Sequence, residues 1–508
     1  MTRETRDTRS RTLRPTTVLA ISVALTAGAS APSAVAAQHD TAAGSPIVAA
    51  TAATAATAAP AAAAATAAPA PGSTVVSQTF GGTALPSGWK PVSGAWKVRN
   101  GRLVGDGGTR ARITFGTPLT DYRFEATARF QAVDNTSRWF ALGLDLPSSG
   151  ATPWWIATLR SRSTAANGVE FAQRTTSNTW NVTDTAAAPA AAGTGKDVRV
   201  RVDVHGMKAT WYLDGRKVLS TDKLRRSADG RQALLVDGAT VAFDDVRVTA
   251  LPSLNPYLRG PGEPALAVAH RGASASAPEN TLAAQELARR AGADLIETDA
   301  QISKDGVPYV MHDGTVDRTT NGTGDLTALT SAQLDKLDAG SWFSSAYKGE
   351  RVPTLRAQGA DLKARGGKLL LEIKRAASKD QVARMFDALR AAGVLSPDRV
   401  FVQSFSKQHL RWARELAPTL PRGYLTSTLD ADPVAVARDL GLTAYNPKAS
   451  ALTARPSVVG DLHRSGVATM VWTVDEPAQW KTLDALGVDA VISNRPAELV
   501  AWQAARRG

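Results

Sequence analysis

The second half of the chain admits few folds, because short apolar segments recur in it with helical stretches between them. Segments at 266–270, 295–302, 369–374, 400–405, 423–426, 444–447, 469–474 and 490–493 are four to eight residues long and mostly apolar. Runs of that length read as strands covered on both faces, the pattern of a parallel sheet. The intervening stretches carry helical signatures. After Lys379, for example, Val382, Phe386 and Leu389 fall at helical spacing and Gly393 follows as a stop. Eight such units in about 250 residues match a (β/α)8 (TIM) barrel at 265–508. The stretch 314–353 is too long for an ordinary loop and reads as an inserted lid or hairpin region over the barrel mouth.

A barrel of this kind carries its active site at the carboxyl ends of its strands. The first segment runs into His270-Arg271-Gly272. The second alternates Glu297, Thr298, Asp299, which puts both acids on one face. Asp305-Gly306 is a turn signal, and the chain returns to deliver His312-Asp313 to the same end. The third segment ends in Glu372-Ile373-Lys374 and the seventh delivers Trp472. Glu297, Asp299 and Glu372 offer three hard oxygen ligands, suited to one divalent cation, Ca²⁺ or Mg²⁺. Arg271 and Lys374 add positive charge suited to a phosphate, and His270 and His312 can exchange protons near neutral pH. Together they fit metal-assisted cleavage of a phosphodiester. The competing reading is a structural polar layer in which the acids pair only with Arg271 and Lys374. Convergence of four separate segments weighs against it. His409 and His463 fall in helical segments and read as surface or capping residues, and His205 has no partner by motif.

His270-Arg271-Gly272, Pro278-Glu279-Asn280-Thr281, Glu297-Thr298-Asp299, Lys304-Asp305-Gly306, His312-Asp313, Asp317-Arg318-Thr319-Thr320, the LEIK at 371–374 and Trp472-Thr473-Val474 follow one another in this order. The series resembles the glycerophosphodiester phosphodiesterase family over about 265–500. That resemblance implies a barrel enzyme, a phosphoric diester hydrolase releasing sn-glycerol 3-phosphate and an alcohol. It implies Glu297, Asp299 and Glu372 as metal ligands and His270 and His312 as the acid–base pair. Arg271 and Lys374 would hold phosphate, Glu279 would lie near the metal or the glycerol, and Trp472 would flank the glycerol. Where the family commonly shows T-D-x-P, this chain has Ser493-Asn494-Arg495-Pro496, which leaves no acid at Asn494. Water and the glycerol 2-hydroxyl both remain open as nucleophile. The same centre also suits a hydrolase of cell-wall glycerol-phosphate polymers (teichoic acids) or a phospholipase D- or sphingomyelinase-like enzyme. A glycan-binding adhesin with a degenerate barrel is the non-enzymatic alternative.

Residues 73–250 have a different texture, with short alternating segments broken by Asn100-Gly101 and Asp214-Gly215, strong hairpin signals. Many strands without helical periodicity imply an all-β sandwich. LPSGWKPVSGAWKVRNGRLVG, WYLDGRKVLST and VAFDDVRV resemble concanavalin-like or laminin-G-like jelly-roll modules. Trp139, Trp154, Trp155 and Trp180 could supply stacking faces for a glycan, although most of this domain's seven tryptophans are expected to fill its core. Net charge is +8 over 73–250 and +3 over 251–508. By charge alone that excess suits an anionic cell-wall polymer, an anionic lipid surface or nucleic acid, and a merely solvated Arg-rich surface accounts for it as well. A nucleic-acid partner is not expected. Residues 251–264, rich in Pro and Gly, form a linker.

Residues 1–36 read as a signal peptide. Five arginines precede an apolar stretch at 18–27, and Ala34-Val35-Ala36 offers a cleavage pattern. The Ala/Thr/Pro-rich stretch 37–72 reads as a disordered spacer. The expectation is a secreted protein without an integral membrane segment. The chain has no cysteine, so thiolate catalysis, disulfides and Cys-based metal sites are excluded.

Overall fold

The computed structural model describes residues 69–506 other than 109 and 148; the expected signal peptide at 1–36 and nearly all of the expected spacer at 37–72 lie outside the described residues. The first folded region is a sandwich of two antiparallel sheets. One sheet runs, in spatial order, Arg216–Thr221, Lys208–Leu213, Asp197–His205, Asp121–Val133, Ala239–Ala250, Arg102–Asp106, Ala95–Arg99, with Thr74–Gln78 also paired to Ala239–Ala250. The other runs Trp180–Ala186, Val169–Arg174, Trp154–Arg160, Trp139–Leu146, Arg231–Asp237, Ala111–Phe115, Lys90–Ser93. The expected hairpins form where Asn-Gly and Asp-Gly stand. Asn100-Gly101 and Asp214-Gly215 take positive φ at both central positions, matching the twist of the flanking strands. Alternate residues from both sheets meet in one core that includes Phe124, Phe130, Phe140, Phe243 and Trp211. Trp155 belongs to this core as well, so it offers no stacking face.

The second region is the barrel. Its eight parallel strands are Leu266–Ala269, Leu295–Ile302, Leu369–Ile373, Val400–Ser404, Arg422–Thr426, Ala444–Pro447, Ala468–Val471 and Ala490–Ser493, and pairing of the first with both the second and the last closes the ring. Pro308–Val310 returns antiparallel on Leu295–Ile302, as the turn at Asp305-Gly306 requires. Residues 314–353 fold around their own apolar cluster of Val316, Leu326, Leu334, Ala339 and Val352, seated on Tyr309 and Met311. His409 is buried rather than at the surface; its ring nitrogens contact Ser404 Oγ (3.1 Å) and the Ala376 carbonyl (3.0 Å).

Sandwich and barrel meet through the loop that precedes strand Ala468–Val471. The Met207 amide donates to the Ser465 carbonyl (3.2 Å), and buried Arg226 donates to the carbonyls of Gly206 (2.8 Å) and Arg464 (3.4 Å). At Gly206, which has φ +54°, a Cβ would lie 2.5 Å from the Ser465 backbone. The linker residue Asn255 donates to the carbonyls of Thr443 and Gly466. These loops lead into strands, so these contacts lie at the amino-terminal ends of the barrel strands; Arg225 also pairs with Asp432 at the start of helix Pro433–Leu440. Among the described residues, no helix is long and apolar enough to cross a membrane.

Candidate active site

Register builds the acidic centre. In the parallel pairing of the second and third barrel strands, Asp299 lies opposite Glu372 and Glu297 opposite Leu370. The two-residue period turns Glu297, Asp299 and Glu372 to the same interior. One carboxylate oxygen from each lies within 4.8 Å of the others, and all three side chains are buried. Burial and the charges of Asp299 and Glu372 raise Glu297 well above the usual carboxyl range. Burial, with the charge of Asp299, likewise pushes Glu372 up to about 8. Burial also works to raise Asp299, but Arg271, Lys374 and His312 outweigh it and hold this carboxyl low. Three buried carboxylates repelling one another fit a hard divalent cation, which would be held by oxygen ligands from Glu297, Asp299 and Glu372.

The cations of the site touch these acids without neutralising all of them. Lys374 Nζ stands 3.1 Å from Glu372 and 3.8 Å from Asp299. Arg271 lies 3.4 Å from Asp299 through Nε and 2.8 Å from Glu279 through Nη1. Its backbone N–H donates to Glu297 (2.9 Å), an orientation obtained with Arg271 at φ +56°. The chain can turn so tightly because residue 272 is glycine: a Cβ there would sit 2.7 Å from the Ala284 backbone. Glu279 therefore reaches the acids only through Arg271, and Arg318 of the inserted region braces it from the other side (2.7 and 2.9 Å).

The two imidazoles differ in what stands behind them. His270 Nδ1 is 2.7 Å from Asn494 Oδ1, which also accepts from Ser274 Oγ (2.8 Å). Asn494 Nδ2 donates to Asp475 (2.6 Å), which fixes its oxygen toward the ring. Nδ1 of His270 is thus the donor and Nε2 the open nitrogen. Burial and the Arg271 charge push His270 down to about 4, against the Asn494 bond. His312 Nδ1 instead donates to the Asp313 carboxylate (2.7 Å), which also takes Arg318 (2.6 Å). Chiefly through Arg318, Asp313 is held down to about 2. Trp472 donates from Nε1 to the Asn446 carbonyl (2.8 Å), and its ring meets Phe405 edge-on at 5.3 Å.

Several contributors were not singled out from sequence. Asn280 donates to Asp299 (2.9 Å) and accepts from Thr298 Oγ1 (3.2 Å). Gln403 donates to Glu297 (3.4 Å) and is itself held by Asn446 (2.9 Å). Of these, Asn280 had a signal in the Pro-Glu-Asn-Thr motif, whose Thr281 caps helix Leu282–Arg290 by accepting from Ala284 N. Gln403 and Asn446 had one too, as polar residues inside apolar strands.

Comparison with known proteins places the second region in a family. Residues 270–498 match the glycerophosphoryl diester phosphodiesterase family. A glycerophosphodiester phosphodiesterase of Caldanaerobacter subterraneus is 35% identical over 237 residues, 46% of this chain and 96% of that protein. One from Bacillus subtilis is 37% identical over 254 residues, 46% of this chain and 84% of its own length. The structure of an Oleispira antarctica phosphodiesterase in complex with sn-glycerol-3-phosphate is 30% identical, with a TM-score of 0.45, over 47% of this chain and 96% of that one. A parallel barrel with this match is a phosphoric diester hydrolase. More narrowly, the chain belongs to the glycerophosphoryl diester phosphodiesterase family.

Proposed function

We propose that the barrel hydrolyses glycerophosphodiesters to sn-glycerol 3-phosphate and an alcohol, with a divalent cation on Glu297, Asp299 and Glu372, and that the chain is exported. The observation that carries this reading is the set of three buried carboxylates within 4.8 Å of one another, flanked by Arg271 and Lys374. The relatives named for the same activity support the substrate class. When bound, the cation supplies charge stabilisation to the phosphate oxygens. Lys374 reaches Glu372 and Asp299 with one ammonium and keeps donors for a phosphate. Arg271, clamped by Glu279, presents a fixed guanidinium to the same group. His270, backed by a neutral amide and pushed down to about 4, suits the neutral ring that accepts a proton through Nε2. His312, whose Nδ1 is held by the Asp313 carboxylate, suits the ring that gives a proton to the leaving alcohol. The Phe405–Trp472 pair offers an apolar wall for the glycerol carbons. Export rests on the basic and apolar N-terminal segments and Ala34-Val35-Ala36.

The test is turnover of glycerophosphocholine by the full chain. His270→Ala and His312→Ala should each lower kcat by roughly 10²–10⁴-fold. Chelation should abolish turnover until Ca²⁺ or Mg²⁺ is restored. Wild-type rates in either histidine variant, or full activity under chelation, would remove this assignment.

A further inference from the structure

The two outer faces of the sandwich are built differently. On the first sheet, cations meet carboxylates: Arg102 (2.8 Å) and Arg129 (2.6 Å) both grip Asp197, and Arg123 (2.8 Å) and Arg201 (3.4 Å) share Asp203. On the second sheet, residues alternating with the core members form another buried apolar cluster, which includes Trp139, Trp154, Ile156 and Leu235, with Trp180 packed against it. An outer sheet face normally alternates to polar residues.

Three guanidinium groups stand over this aromatic floor. Arg110 and Arg174 lie 5.7 and 5.1 Å from the Trp180 ring centroid, and Arg112 lies 5.5 Å from that of Trp154. Their charge is poorly met. Arg110 is 3.4 Å from Asp237, a carboxylate that also serves Arg138 at 3.6 Å. Arg174 donates to a neutral amide, Asn178 (2.7 Å). The Arg112 guanidinium has neither a hydrogen bond nor an ion pair among the described residues, and its Nε is buried. The indole N–H of Trp154, a residue 3% exposed, also has no acceptor among the described residues. Burial and the charges of Arg110 and Arg174 hold Arg112 below the usual guanidinium range. Beside the trio, Val182 pairs with Ala172 on the same face and is 45% exposed.

An uncompensated cluster of guanidiniums is complementary to an anion, and a half-buried indole ring beside exposed apolar surface is complementary to the C–H groups of a sugar or polyol. We propose that the outer face of this sheet, centred on Arg110, Arg112, Arg174 and Trp180, binds a phosphodiester-linked saccharide polymer. The choice of phosphate over carboxylate rests on the barrel's reading as a phosphodiesterase; the site itself does not. The charge is gathered over tryptophans in one spot rather than drawn out along a track, which favours a saccharide over a nucleic-acid strand.

The experiment measures binding of the full chain to a glycosylated poly(ribitol phosphate), which lacks the glycerol unit of the proposed substrate. Polygalacturonate, a neutral glucan and a single-stranded oligonucleotide are the comparison probes. The phosphate polymer should bind tightest, and Arg112→Ala with Arg174→Ala, or Trp180→Ala alone, should weaken it by roughly tenfold or more. Turnover of glycerophosphocholine should stay at the wild-type level in these variants. Trp180 lies on the edge strand Trp180–Ala186, so its truncation tests the site even where the arginine pair proves needed for folding. Unchanged binding in the Trp180 variant, or equal wild-type affinity for any comparison probe, overturns the proposal. Loss of glycerophosphocholine turnover in the wild type would instead count against the barrel's assignment alone.

Discussion

Replacing Asn280 with aspartate changes little in shape and reverses the electrostatics beneath the acidic centre. Asn280 is 5% exposed and sits at φ +60°, a conformation aspartate also tolerates. Its Nδ2 donates to Asp299 at 2.9 Å. Asn280→Asp removes that donor, worth about 1.5–3 kcal/mol to a charged acceptor, and puts a fourth carboxylate beside the trio. Two unit charges about 4 Å apart repel by about 4 kcal/mol at an effective dielectric constant near 20. The new acid can escape by taking a proton. From an ordinary pKa near 3.9 that costs about 4 kcal/mol at pH 7, so about 4 kcal/mol is the ceiling. The folded-state pKa is then raised above the unfolded value, so the penalty grows as pH rises above about 4 and shrinks to about 1.5 kcal/mol at pH 5. For a domain of this size, 4 kcal/mol is roughly 8–16 °C in melting temperature. Thermal unfolding by circular dichroism in chelator, at pH 5 and pH 7, reads the effect directly. Added Ca²⁺ or Mg²⁺ should narrow the gap to wild type, because the extra acid then faces a cation. A gap below about 1 kcal/mol at pH 7 in chelator, or one that widens as pH falls, would refute the reasoning.

Glu297→Gln keeps the side-chain shape and removes one of the repelling charges, so the chelated variant should melt no lower than wild type. Its stabilisation by Ca²⁺ or Mg²⁺ should shrink, and glycerophosphocholine turnover should fall by about 10²-fold or more. Asn494→Ala leaves His270 Nδ1 and Asp475 without the group that joins them, and should lower kcat about 10–100-fold with KM nearly unchanged. Asp305 is held down to about 2, chiefly by the Ser331 and Ser303 hydroxyls and the Ser331 amide. Its folded pKa is depressed, so its contribution is present above the ordinary range near 4 and is lost as pH falls through about 2. Hydrogen exchange at the Ser331 amide should accordingly quicken in Asp305→Ala at neutral pH.

Strand identity and the acidic trio were legible in the chain because both depend on short-range periodicity. Apolar runs bounded by turn residues located all eight barrel strands, seven of them to within one residue at either end and the seventh, Ala468–Val471, to within three, and the two-residue alternation of Glu297 and Asp299 put both on one face. What periodicity cannot convey is which distant residue stands behind a given side chain. Nothing local to Asn494 says that its amide, turned by Asp475, faces His270 some 220 positions earlier. Nor does anything local to Glu279 say that it meets Arg271 and Arg318 and not the acids.

The tryptophans mark the boundary most clearly. Trp154 and Trp155 are neighbours of one residue type, so composition treats them alike. The pleat sends Trp155 into the core and Trp154 to the opposite face, beneath Arg112. By itself the sequence determined the fold class, the strand order along the chain and the kind of chemistry at the barrel mouth, because these follow from residue type and local spacing. Only the tertiary structure decided how charges pair, which imidazole is backed by an amide and which by a carboxylate, and which sheet face leaves its arginines unmet. Those outcomes depend on contacts between residues far apart in the chain, and the electrostatic energies that separate them exist only once burial has removed the water.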